Sequence, residues 1–137
     1  MIVADTSALL ALFNRREPAH DAVAAAVAEE DAEIAVSPYV VAELDYLVAT
    51  RLGVDAEMAV LRELASGAYE HPPLGVPDVA TCADLVERYR DRAIGIADAS
   101  IVVLAERFGT RTVLTLDRRH FDVLRPLDGG RFTLLPR

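Results

Sequence analysis

The sequence predicts an α/β protein with a central, mainly parallel sheet and helices on both of its faces. Short apolar runs typical of buried strands alternate along the chain with helical segments of ten or more residues. The chain has 137 residues, of which 53% are hydrophobic and 26% charged, enough apolar surface for one compact core. We therefore expect residues 1–137 to form a single domain.

The first half of the chain predicts two strands and four helices. Asp5, Thr6 and Ser7 follow the first apolar run and can cap a helix, and Ser37 with Pro38 predicts an N-cap and first helical residue. Gly53 can end the helix that Pro38 begins. The predicted elements are a strand at 1–4, helices at 8–14 and 19–30, a strand at 34–36, a helix from 38 that ends before Gly53, and a helix at 56–65.

The second half predicts two helices and two strands. Apolar residues recur at helical spacing from Cys82 to Tyr89, which predicts that Cys82 belongs to the core. Gly109 can end the next helix. The predicted elements are a short extended piece at 74–76 between prolines, helices at 78–89 and 97–108, a buried strand at 112–116 and a final strand at 131–135.

All 14 basic residues are Arg, and this composition excludes several chemistries. Without Lys there is no P-loop, no Schiff-base or pyridoxal-phosphate lysine and no protein-kinase site. The single cysteine cannot form an internal disulfide. The N-terminus lacks the features of a signal peptide, and no apolar stretch approaches the roughly 20 residues that span a bilayer. We expect a cytoplasmic protein with no membrane partner.

The net charge of −8 argues at first against a nucleic-acid partner, but the charge is unevenly distributed. Residues 1–70 hold four Arg and 13 acids, whereas residues 111–137 hold six Arg and three acids. This asymmetry is compatible with a basic face for a polyanion or with a simple solvated surface.

Four acidic residues occupy positions that favour a functional site. Asp5 and Asp117 each follow a predicted strand, where ligands bind in open α/β sheets. Asp98 lies among small and apolar residues, and Glu43 lies at the edge of an apolar helical stripe. Taken singly, each acid can also have a purely structural role. Asp5 and Asp117 can belong to a turn or cap, Asp98 can be an N-cap, and Glu43 can lie at the boundary between the buried and exposed faces of its helix.

Carboxylates that are brought together repel each other, and they stay ionised at neutral pH when a cation neutralises them. Mg²⁺ and Mn²⁺ prefer oxygen ligands and keep several waters. Such an ion can activate water for attack on a phosphodiester, a chemistry that needs no Lys.

The acids also occur within four recognisable motifs, and together these resemble the PIN-domain ribonucleases and, more closely, the VapC toxins of bacterial toxin–antitoxin pairs. The resemblance covers essentially the whole chain. The motifs are Asp5-Thr6-Ser7-Ala8-Leu9-Leu10, Glu43 in the helix after Ser37-Pro38, Gly95-Ile96-Ala97-Asp98-Ala99, and Leu114-Thr115-Leu116-Asp117-Arg118-Arg119-His120-Phe121.

The resemblance implies a metal-dependent endoribonuclease on a PIN-like three-layer α/β/α sandwich. It implies that the four acids bind one or two Mg²⁺ or Mn²⁺ ions, with Asp5 and Asp98 as the firmest ligands. Glu43 would help to position the ion or the attacking water, and Asp117 would act through water.

The resemblance further implies RNA as the substrate, a VapB-type antitoxin as a protein partner and a homodimer. Thr6 and Thr115 look like the hydroxyls that flank the site in this family. Arg118 and Arg119, with His120, directly follow Asp117, where they are candidates to hold RNA phosphates, since the Arg fork matches phosphate oxygens.

Four other functions can be compared with the same residues. A phosphotransfer receiver or an Asp-nucleophile phosphatase also has Asp after the first strand, but both need Lys, and the phosphatase needs a second Asp where Ser7 stands. Ser-His nucleophilic catalysis lacks its Gly-x-Ser-x-Gly turn. An inactive domain of the same fold that binds RNA or protein remains the alternative, against which the presence of all four acids argues.

Overall fold

A five-stranded sheet, with every strand parallel to its neighbours, forms the centre of the molecule. The computed structural model describes all 137 residues, and the strand order across the sheet is β3-β2-β1-β4-β5. The strands are β1 (Ile2–Ala4), β2 (Ile34–Val36), β3 (Tyr69–Glu70), β4 (Thr112–Leu114) and β5 (Thr133–Leu135). The predicted fold class is confirmed, and the sheet is parallel throughout.

Seven helices connect the strands and cover both faces of the sheet. Every residue of β1 and β2 is buried, as occurs when a strand is covered on both sides. None of the helices combines the length and apolar character that crossing a membrane requires. They are α1 (Thr6–Phe13), α2 (His20–Glu30), α3 (Pro38–Leu52), α4 (Val54–Leu64), α5 (Val76–Arg88), α6 (Ile96–Phe108) and α7 (Arg118–Phe121), with a 3-10 turn at Arg90–Arg92.

The segment before α5 differs from the prediction. The extended piece expected at 74–76 is not a strand, because α5 already begins at Val76 and the strand of this region lies earlier, at Tyr69–Glu70. Asp78 causes the early start, since its Oδ2 accepts a hydrogen bond of 2.8 Å from the Gly75 N–H and so caps the helix. Cys82 of α5 is 1% exposed, which confirms its predicted place in the core.

A buried pair of serines joins α3 to α6. The Ser37 Oγ accepts from the Tyr39 N–H at the start of α3 and lies 2.7 Å from the Ser100 Oγ. The Ser100 hydroxyl donates to the Ala97 carbonyl, so the proton between the two serines comes from Ser37. Both serines are fully buried, and the bond fixes the first turns of the two helices that carry Glu43 and Asp98.

The strand order places a crevice between β1 and β4. From β1 the chain builds outward to β2 and β3, and it then returns to add β4 and β5 on the other side. Ligands of open parallel sheets bind at such a reversal, outside the carboxyl ends of the strands. The Asp5 N–H donates to the Leu114 carbonyl at 2.8 Å, so β1 and β4 remain paired up to this edge.

Candidate active site

An acidic pocket of about 410 Å³ opens at the carboxyl ends of β1 and β4. Its walls come from the ends of these two strands, from α3 and from the first turn of α6. The structure thus brings all four predicted acids together. The lining residues include Asp5, Glu43, Asp98 and Asp117, together with Thr6, Ser7, Arg51 and His120.

Asp5 is the most deeply buried acid of the pocket, at 4% exposure. It occupies the N-cap position of α1, but its side chain does not cap the helix. Instead, Asp5 Oδ2 accepts hydrogen bonds from Ser7 Oγ at 2.7 Å and from Thr115 Oγ1 at 2.8 Å. Burial raises the pKa of Asp5 above its ordinary value, and these hydroxyl bonds oppose that rise.

The hydroxyls around Asp5 form a network that ties β1 to the loop after β4. Ser7 Oγ accepts from the Leu116 N–H at 2.9 Å, and Thr115 Oγ1 accepts from the Asp117 N–H at 2.9 Å. Both hydroxyls therefore connect a carboxylate on one side of the crevice to a backbone amide on the other. Thr6 differs, because its Oγ1 is buried and has no hydrogen-bond partner.

Asp98 lies in the first turn of α6, two residues after the helix begins. Gly95 occupies the N-cap position, so the N-cap reading of Asp98 is wrong. The pKa of Asp98 is raised to about 6, chiefly by burial and then by the negative charge of Asp5, with His120 opposing the rise. This carboxylate is held in a site that disfavours its charge.

His120 bridges two of the acids. Its Nδ1 lies 2.8 Å from Asp98 Oδ2 and 3.3 Å from Asp117 Oδ2. An ionised carboxylate only accepts hydrogen bonds, so the ring nitrogen is the donor when Asp98 is charged. His120 thus lies inside the pocket, beside the acids.

Glu43 and Arg51 reach the pocket from α3. Glu43 is exposed to solvent, unlike Asp5 and Asp98, and it lies on the same face of α3 as Leu47 and Arg51. The charge of Glu43 contributes to the raised pKa of Asp5.

The two arginines predicted to hold RNA phosphates lie outside the lining of the pocket. Arg118 Nη2 donates to the Pro136 carbonyl at 2.8 Å, so its guanidinium is engaged with the C-terminal segment. Arg119 has an 89% exposed side chain, and its Nε is 3.9 Å from Asp117 Oδ1. Their contact with RNA stays a prediction.

Three of the lining residues are not among the metal-site residues predicted from the sequence: Ser7, Arg51 and His120. Ser7 and His120 lie in the quoted motifs, but the sequence predicts only a helix cap for Ser7 and phosphate binding for His120. Arg51 lies eight residues after Glu43, a spacing that places both on one helical face. That spacing was the available signal for Arg51.

The donor groups of the pocket fit a hard divalent cation. No three His, Cys, Asp or Glu side chains converge into a ready-made metal cluster, so the fit rests on chemistry. Carboxylate and hydroxyl oxygens are the ligands that Mg²⁺ and Mn²⁺ accept. A hydrated cation would neutralise the crowded acids and offer a partner to the unpaired Thr6 hydroxyl.

Comparison with known proteins agrees with the fold. A family model described as PIN domain matches residues 2–125, so the chain belongs to the PIN domain family. Within that family its similarity is to VapC proteins. The chain is 59% identical over 135 residues to Ribonuclease VapC26 of Mycobacterium tuberculosis, a match that covers 98% of this chain and 100% of the relative.

Two solved structures share the fold at lower sequence identity. One is VapC20 of Mycobacterium tuberculosis, described as a sarcin-ricin loop cleaving toxin, with a TM-score of 0.79, 19% identity, and coverage of 86% of this chain and 91% of that one. The other is VapBC2 of Rickettsia felis, bound to a DNA fragment from its promoter, with a TM-score of 0.67, 20% identity, and coverage of 98% and 97%.

Proposed function

We propose that this chain is a VapC-type endoribonuclease that hydrolyses RNA phosphodiester bonds with Mg²⁺ or Mn²⁺ and acts as the toxin of a toxin–antitoxin pair. The observation that carries the proposal is the acidic pocket at the reversal of the sheet, in a chain that is 59% identical to a named ribonuclease. Residues 1–137 act as one PIN domain, since β5 pairs with β4 beyond the end of the matched region.

The four acids have different proposed roles, which follow from how deeply each is buried. Asp5 and Asp98 would hold the ion, because they are the most buried acids of the pocket and gain most from neutralisation. When bound, the ion supplies an activated water and stabilises negative charge on the phosphate. Asp117 and the exposed Glu43 orient water at the rim of the pocket, while Ser7 and Thr115 keep Asp5 in place.

The proposal is tested by incubating the purified protein with total bacterial RNA, with EDTA or with a few millimolar Mg²⁺ or Mn²⁺. We expect discrete cleavage products with either ion and loss of cleavage in EDTA, because without a cation the clustered acids repel the anionic phosphate. Cleavage is read by mapping the new RNA ends.

The same assay distinguishes the alternatives. Equal cleavage in EDTA would contradict the role of the ion. Tight RNA binding with no cleavage under any condition would favour the inactive binding module.

The surface beside the pocket fits the proposed antitoxin. An apolar groove of about 390 Å³ runs between α1, α3 and α4 and shares Leu10 with the acidic pocket. Leu52, at the end of α3, is 48% exposed along it. A partner helix with apolar side chains in the groove and an Arg or Lys in the acidic pocket would cover both features.

The proposed homodimer has a candidate surface on α5. Val76, Val79 and Val86 are exposed on this helix, at 84%, 42% and 39%. Their spacing places them along one side of α5, where a second copy of the chain can cover them.

A further inference from the structure

Arg51 differs from the other basic residues near the acidic pocket because it lines the pocket without a partner. It is exposed, it forms no ion pair within 4.0 Å, and its guanidinium makes no hydrogen bond to the protein. The other basic side chain of the lining, His120, lies within hydrogen-bond distance of Asp98 and within 3.3 Å of Asp117. Arg118 and Arg119 lie outside the lining.

The position of Arg51 along α3 sets its distance from the acids. Eight residues separate it from Glu43, so their Cα atoms are about 12 Å apart along the helix axis. Glu43, Leu47 and Arg51 follow one another on a single face, and all three line the pocket. Arg51 therefore marks the end of the pocket farthest along α3 from Glu43.

We propose that Arg51 is a substrate-binding residue that holds a backbone phosphate of the RNA one or two nucleotides from the phosphate that is cut. The inference rests on the proposed function and extends it, because it assigns the direction in which the strand leaves the acids. A planar guanidinium with five donors matches two phosphate oxygens at once. The acids would hold the divalent cation, and Arg51 supplies a positive charge that can contact a phosphate directly.

A contact between Arg51 and a phosphate can be detected from the salt dependence of the RNA-binding constant. Each phosphate of a single strand that a protein neutralises contributes about 0.7 to the slope of log K against log salt concentration. Loss of one contact therefore lowers that slope by about 0.7. Removal of a charge with no role in binding leaves the slope unchanged.

The test compares Arg51→Gln, Arg51→Lys and the matched control Arg62→Gln, which removes an exposed arginine from α4 outside the pocket lining. Cleavage is measured in Mg²⁺ with variants that keep all four acids of the pocket. We expect Arg51→Gln to raise KM for an RNA substrate by about 3- to 10-fold with little change in kcat. Arg51→Lys recovers part of the loss, and Arg62→Gln behaves as wild type.

RNA binding is measured in parallel with all three variants placed in an Asp98→Asn background, so that the strand is not cut. The expected result is a salt slope lower by about 0.7 for Arg51→Gln alone. An unchanged slope and KM in Arg51→Gln would overturn the assignment while leaving the nuclease proposal intact. Binding that depends on Arg51, without cleavage by the wild type, would overturn the nuclease proposal alone, and absence of RNA binding would overturn both.

Discussion

Replacing Asp98 with Asn is expected to lower RNA cleavage by at least about 100-fold and to stabilise the metal-free protein at the same time. Groups that merely support a metal ligand already cost 10- to 100-fold when removed, so a ligand should cost at least as much. The stabilisation follows because Asn removes a buried charge that faces Asp5. At pH 7.5 in EDTA the free energy of unfolding should rise by about 1–3 kcal/mol.

The direction of the pH effect follows from the pKa of Asp98. In the folded protein the pKa is about 6, above the value of about 3.9 in an unfolded chain, so the folded state holds the proton more tightly. The contribution of Asp98 to stability is therefore fully present below about pH 4 and is lost as the pH rises through 6. Between pH 4 and 7 the metal-free wild type should lose stability relative to Asp98→Asn, as measured by urea unfolding.

Asp91→Asn is the matched control, since it removes an exposed acid in the Arg90–Arg92 turn close in sequence to Asp98. It should cleave RNA at the wild-type rate and show no gain of stability in EDTA. If Asp98→Asn cleaved RNA as well as the control does, Asp98 would have no part in the reaction.

Thr115→Val should lower cleavage by about 10- to 100-fold, the cost expected for a group that holds a metal ligand in place. The substitution keeps the shape of a side chain that is 1% exposed but removes the hydroxyl. Asp5 then loses a donor at 2.8 Å, and the Asp117 N–H loses its acceptor at 2.9 Å. We also expect a loss of about 1–3 kcal/mol in the free energy of unfolding, because partners are left unsatisfied.

The control for this change is Thr112→Val, the same substitution at the first residue of β4, where the threonine side chain makes no hydrogen bond. This variant should cleave RNA normally. A Thr115→Val protein that is destabilised yet fully active at saturating Mn²⁺ would limit the hydroxyl to a structural role.

The four acids could be predicted because their positions favour a functional site and their motifs together resemble those of PIN-domain ribonucleases. Asp5 and Asp117 each follow an apolar strand, and the strands are adjacent at the reversal of the sheet. Asp98 has no such marker from strand order, but its setting among small and apolar residues indicated a site for charge. Its actual position, two residues inside α6, depends on Gly95 taking the N-cap.

The rest could not be read from local patterns because it depends on contacts distant in sequence. Ser7 bonds to the Leu116 N–H, and His120 bonds to Asp98, across elements that meet only in the folded sheet. β3 comprises only Tyr69–Glu70, too few residues for an alternating pattern to be seen. Such features follow from the topology, which the strand pattern defines only in outline.

The measurement that tests the central claim most directly is the binding of Mn²⁺ to the metal-free protein, followed by the loss of the free-ion EPR signal. The wild type and Asp91→Asn should bind the ion saturably, and Asp98→Asn should bind it at least about 10-fold more weakly, because one buried carboxylate ligand is gone. Equal binding by Asp98→Asn, or no binding by the wild type at millimolar Mn²⁺, would contradict the assignment of this pocket as a metal-dependent nuclease site.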